Sequence, residues 1–267
     1  MCSSDLDARI SAVASSFAAF SPRVRTRQDS TTLYVESDGL AAHTMMVGIR
    51  SWQQQVPLPA DYSGSNAWPI PLHPQLATQP VSARTGLFRG AIALAANGVP
   101  IFNALNNRGD DAYLAGELDD FGGHSGRADD YHYHTAPLFL SPSVGAAQPI
   151  AVGLDGFALY GASEPDGSPM RALDDYNGHA DSRDVYHYHG TKTYPYINGG
   201  MKGVVRVSDQ VEPQPSLTPV RPAGTPLSGA VITRHVATGA SSWTLEYQDR
   251  KSTRLNSSHI TISYAVF

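Results

Sequence analysis

The sequence predicts a mainly β, single-domain protein, sandwich- or barrel-like, with an internal pseudo-twofold repeat, long ordered loops and few short helices. Three observations carry that expectation. Charged residues are only 16% of the 267, while 24 Gly and 19 Pro supply frequent turns. Two dipeptides, Asn97-Gly98 and Asp155-Gly156, each lie between short apolar runs, the strongest local signal for a β-hairpin. A segment of the chain also occurs twice. One copy, about 97–134, reads NGVPIF, then LDDFGGH at 118–124, then YHYH at 131–134. The other, about 155–189, reads DGFALY, then LDDYNGH at 173–179, then YHYH at 186–189. Its histidines recur at an offset of 55 residues. Duplicated units stack to share a core, so the two histidine motifs are expected close together.

Element by element, Ile10, Val13, Phe17 and Phe20 at helical spacing predict a short N-terminal helix within 7–29. Residues 31–36 and 45–49 read as strands. The Pro-rich stretch 57–83 reads as a long ordered loop, and 141–149 as a linker. Residues 211–229 read as irregular, followed by closing strands at 229–234 and 243–247. The main domain is placed at 30–249. Both ends, 1–6 and 250–267, resemble translated sequencing-adapter readthrough and are set apart from the fold.

Apolar residues make up 41%, enough for a sizeable core. No apolar run approaches the roughly 20 residues of a bilayer span. Net charge is −5 with no basic run, which argues against a nucleic-acid partner. The single Cys, Cys2, lies in the set-apart head, so the main domain has neither a thiol nucleophile nor a disulfide.

The chemistry is carried by His124, His132, His134, His179, His187 and His189. In YHYH on a strand, both His point to one face and both Tyr to the other. Same-face neighbours are then roughly 7 Å apart at Cα, close enough for two imidazoles to meet one ion. The third His of each copy sits eight residues earlier in a Gly-containing turn, from which it can fold back as a third ligand. A fourth position then stays open for water or substrate. Asp119, Asp120, Asp129, Asp174, Asp175 and Asp184, with Tyr131 and Tyr186, are candidates for holding the ligand rings, or else for turns and caps. His43 and His73 read as satisfied loop histidines. Imidazole alone does not choose among copper, zinc, iron and nickel. No cupin, metallo-β-lactamase or zincin pattern follows the His pairs, and no nucleophile elbow, P-loop or dinucleotide fingerprint is present.

Over roughly 30–205 the chain resembles the YHYH domain family. The match rests on both YHYH segments, the DGFALYG stretch at 155–161, the LDD-x-x-G-H pieces, and Tyr194-Pro195-Tyr196 followed by Gly199, Gly200, Met201, Lys202 and Gly203. The resemblance implies a bacterial protein that is secreted, periplasmic or on the cell surface. It also implies loss of one disulfide, because many relatives carry Cys where this chain has Tyr176 and Gly200.

Two functions compete. One is a secreted metal-binding protein, with metalloenzyme activity left open, using the duplicated His clusters and a copper, zinc or iron ion. The other is a metal-free extracellular carbohydrate- or polymer-binding or structural module. There YHYH is a core Tyr/His hydrogen-bond network, and the loops around Trp52 and Trp68 present aromatic surface. A small molecule or extracellular polymer is the expected partner, with the oligomeric state left open.

Overall fold

The structure is a computed structural model, and it describes residues 3–219, 222, 225–239, 242–249 and 257–263. Helix α1 (Ser3–Ala18) leads into β1 (Arg25–Gln28), β2 (Thr32–Glu36) and β3 (Ser51–Trp52). Then come β4 (Trp68–Pro71), β5 (Leu76–Ser82), β6 (Ala91–Ala95), β7 (Pro100–Phe102), β8 (Gly123–Ser125) and β9 (Tyr131–Tyr133). Helix α2 (Ser141–Val144) precedes β10 (Ala151–Gly153), β11 (Ala158–Tyr160), β12 (Gly178–Ala180), β13 (Tyr186–His189) and β14 (Gly200–Gly203). The last strands are β15 (Leu227–Ser228), β16 (Ala230–Gly239), β17 (Ser242–Asp249) and β18 (Ser257–Ser263).

The centre is one eight-stranded mixed sheet in the order β12-β13-β11-β10-β6-β7-β9-β8. Both Gly-turn hairpins are present, as β6–β7 and β10–β11, and they meet through the antiparallel pair β10–β6. Each hairpin then pairs in parallel with a Tyr-His strand, β7 with β9 and β11 with β13. Those strands pair antiparallel with β8 and β12. All five residues of β6 are fully buried. A run such as AIALA, apolar without alternation, is what a strand covered on both faces requires. Helix α1 contributes Val13 and Phe17 to the core, with Ile10 and Phe20 packed at its margin.

Several sequence expectations need correction. Residues 45–49 form no strand; Met46 takes φ 71° and Gly48 φ 99°, in a buried irregular segment. The stretch 57–83 is not one loop. It contains β4, which pairs with β2, and β5, which pairs with β14. Their prolines are tolerated because each strand pairs on only one side. The 141–149 linker opens with α2. Of the set-apart ends, Ser3–Leu6 begin α1 and Ser257–Ser263 pair with β17, while 250–256 and 264–267 lie outside the described residues. Trp52 and Trp68 are 3% and 2% exposed, so both fill the core and neither presents the aromatic surface of the polymer-binding alternative. Among the described residues no helix is long and apolar enough to cross a membrane.

Candidate metal centres

The motif LDD-x-x-G-H…YHYH has a local logic. Asp119 bends its side chain over its own turn and accepts the N–H groups of Phe121 (2.9 Å) and Gly123 (3.0 Å). It also accepts the Met46 N–H at 2.8 Å and the Tyr131 hydroxyl at 2.6 Å. To arrive there the Tyr131 ring crosses β8 above Gly123, where a Cβ would lie 2.6 Å from Cζ. The second copy repeats the arrangement. Asp174 accepts Tyr176 N–H, Gly178 N–H and the Tyr186 hydroxyl, and a Cβ on Gly178 would lie 2.6 Å from Tyr186 Cζ. The Gly before each turn His therefore makes room for a tyrosine. The remaining tyrosines reach the hairpin turns: Tyr188 donates to Asp155 at 2.5 Å, and Asn97 donates to Tyr133 Oη at 3.0 Å.

With the tyrosines on one face, the imidazoles gather on the other. His124 is not held in a turn. It lies on β8 directly opposite His132, and His179 lies on β12 directly opposite His187. The six histidines form two groups, not one shared cluster: His124, His132 and His134, and His179, His187 and His189 with Glu164. Within each group the ligand atoms all lie within 4.8 Å of one another, and each group is so placed that it can hold a metal ion. The chain segments leaving the two strands do meet, since a Cβ on Gly190 would lie 3.1 Å from Leu138 Cδ2.

The ring nitrogens are sorted. His132 Nδ1 donates to the Asp130 carbonyl (3.0 Å) and His134 Nδ1 to that of Asn103 (2.5 Å). His124 is hydrogen-bonded to the Glu117 carbonyl. In the second group the Nδ1 atoms of His179, His187 and His189 face the carbonyls of Ala172, Val185 and Gly161, at 3.0, 3.3 and 2.7 Å. A carbonyl only accepts, so in His132, His134, His179, His187 and His189 the proton sits on Nδ1. A neutral imidazole has one proton, so Nε2 is left as a bare lone pair. Those lone pairs converge. His132 and His124 Nε2 lie 3.1 and 3.0 Å from His134 Nε2, and His179 and His187 Nε2 are 3.1 Å apart. His189 Nε2 is buried without a hydrogen-bond partner.

Glu164 completes the second group. Its Oε2 lies 3.0, 3.2 and 3.7 Å from the Nε2 atoms of His179, His187 and His189. Burial works to raise its carboxyl, but the Arg171 N–H donates to it and holds it below its usual value. The imidazoles move the other way. Burial, then the neighbouring rings, drives His124 well below its usual value and His134 down to about 3. Burial lowers His187, and takes His189 to about 4 against the Gly161 carbonyl. These four rings are neutral, hence able to ligate, at ordinary pH.

The carboxylates singled out beside the histidines take other partners. Asp119 and Asp174 bind backbone and tyrosine, as above. Asp129 accepts the Val56 N–H, and the Asp120 carboxylate lies against Gly48, where a Cβ would be 2.5 Å from its Oδ1. Asp184 turns the chain at φ 61° and Asp175 is exposed. The ring orienters are main-chain carbonyls, together with the Asp130 carboxylate 3.4 Å from His132 Nδ1. His43 bonds Tyr133 Oη at 2.8 Å and stacks on Phe121, and His73 bonds the Ser30 carbonyl at 3.2 Å, so both are satisfied. Glu164 was not singled out from sequence; it stands alone in a loop, and no spacing rule ties it to histidines 15 or more residues away.

Fold and site together define a β-rich protein whose Tyr-His-Tyr-His strands carry two convergent imidazole groups. Residues 67–170 match the family model described as YHYH protein. That match takes in the whole first cluster and Glu164. No curated protein and no solved structure matches the chain.

Proposed function

We propose that this is a secreted metal-binding protein in which each imidazole group holds one transition-metal ion, copper, zinc or iron. The observation that supports it best is the tautomer arrangement: Nδ1 atoms donate to carbonyls, and the freed Nε2 lone pairs face each other at 3.0–3.1 Å. Lone pairs at that distance repel unless a cation lies among them. Bonds of about 2.0–2.1 Å to one ion put ligand nitrogens about 2.9–3.4 Å apart for angles between right and tetrahedral. Backbone bonds to the distal nitrogen fix ring orientation and raise ligand basicity, as in established metal sites. Secretion rests on the family resemblance.

Metal analysis of protein purified without a His tag tests this reading. The expected content is about one equivalent per cluster, falling by about half in the double variant His132→Ala, His134→Ala. Less than about 0.2 equivalents, with no uptake after reconstitution, rejects it. The metal-free alternative makes the opposite forecast for the double variant: a stability loss of about 1–3 kcal/mol and nothing else.

A further inference from the structure

The two groups are built alike in one respect and differ in another. After each hairpin the chain makes the same small loop. The N–H of Asn106 bonds the Asp110 carbonyl and that of Gly109 bonds the Asn106 carbonyl; Glu164 bonds Ser168, and Gly167 bonds Glu164, in the same pattern. Isolated bridges close both loops, Leu105 with Asp111 and Ser163 with Pro169. Three residues before Asn106 the Asn103 carbonyl holds His134, and three before Glu164 the Gly161 carbonyl holds His189. Asn106 and Glu164 thus occupy the same place, yet only Glu164 reaches its imidazoles. Asn106 turns inward, its Oδ1 accepting the N–H groups of Arg108 and Asp110 and its Nδ2 donating to Glu117 Oε2. Glu117 is the nearby carboxylate of the first half, but Arg108 and Asn106 hold it in an ion pair and hydrogen bond, and it is not among the atoms that converge with the three imidazoles.

Resting on the metal reading above, we propose that the clusters are unequal centres: Glu164 closes the His179/His187/His189 site as an anionic fourth ligand, whereas the His124/His132/His134 site keeps an open position that takes water or a small inorganic anion. Charge decides the difference. A divalent ion among three neutral imidazoles keeps its full charge in a buried place, which favours an exogenous anion and lowers the pKa of bound water. At the other site the carboxylate offsets one unit of that charge and adds an oxygen ligand, which suits harder divalent ions such as Mn2+ or Fe2+ as well as zinc.

Loading of metal-free protein with Co2+, followed by azide addition, tests the division through visible absorption. The expected result is two affinity classes, with azide perturbing the spectrum of one equivalent only. In Glu164→Gln the tighter class weakens by at least about tenfold and the azide response persists. In His134→Ala the azide response disappears while the tighter class remains. Two equal affinities, or an azide response that survives His134→Ala, overturn the division. Because the wild-type isotherm alone separates equal from unequal sites, the result does not depend on a variant folding. Absence of Co2+ uptake at both sites overturns the metal reading itself, a different outcome from uptake without inequality.

Discussion

A tyrosine hydroxyl laid across a glycine explains why the motif joins residues that never share a strand. Asp119 is 5% exposed and takes four donors, one of them Tyr131 Oη. Asp174 takes a similar set but is exposed, and it also accepts the Lys202 ammonium at 2.9 Å. Removing a donor from a buried acceptor costs more than removing one from an acceptor that water can reach. Tyr131→Phe is therefore expected to lower unfolding free energy by about 1–3 kcal/mol, and Tyr186→Phe by no more than about 1 kcal/mol. Chemical denaturation of the two variants measures the difference, and equal losses contradict the burial argument. Gly123→Ala is expected to match or exceed Tyr131→Phe, because its methyl expels the ring from that crossing.

At the scale of elements, the antiparallel pairs β8–β9 and β12–β13 each set a third histidine opposite the first of a His-x-His pair. The main chain then dictates the tautomer. In metal-free protein at neutral pH, nitrogen NMR is expected to find the proton on Nδ1 of His134 and His189 and none on Nε2, with Nε2 shifting on zinc addition. Protons on Nε2 instead signify an internally hydrogen-bonded network with no lone pairs to offer. Much of this was legible in the sequence: period-two alternation separated His from Tyr, and two Gly turns marked both hairpins. The position of His124 was not, because Gly122 and Gly123 read as a turn although Gly123 is in a strand, its lack of a side chain serving Tyr131. Glu164 escaped for a different reason. Its role depends on a loop folding back over a neighbouring strand, a tertiary event that leaves no periodicity. Strands β4 and β5 were hidden because proline, which usually excludes a strand, is accommodated at a sheet edge.

For the whole molecule, burying so many imidazoles links stability to pH. His134 and His189 have their values lowered by burial to about 3 and about 4, against 6.5 in an unfolded chain. Between those limits the unfolded chain binds protons that the native protein refuses, so stability rises with pH and falls as the solution is acidified below 6.5. Each unit of such a shift corresponds to about 1.4 kcal/mol at most. Asp119 and Asp155, raised by burial, act in the opposite sense, since the native protein takes up their protons first on acidification. The imidazoles contribute the larger number of shifted groups, with His124 and His187 displaced the same way. Chelated protein is therefore expected to lose stability steadily from pH 6.5 to 4.5, with a shallower slope when His134 and His189 are both replaced by Asn. Metal should steepen the wild-type slope further, because ligation requires the same nitrogens unprotonated. An unfolding midpoint independent of pH across that range, or a slope indifferent to both replacements, is incompatible with two buried neutral imidazole clusters on the outer strand pairs of this sheet.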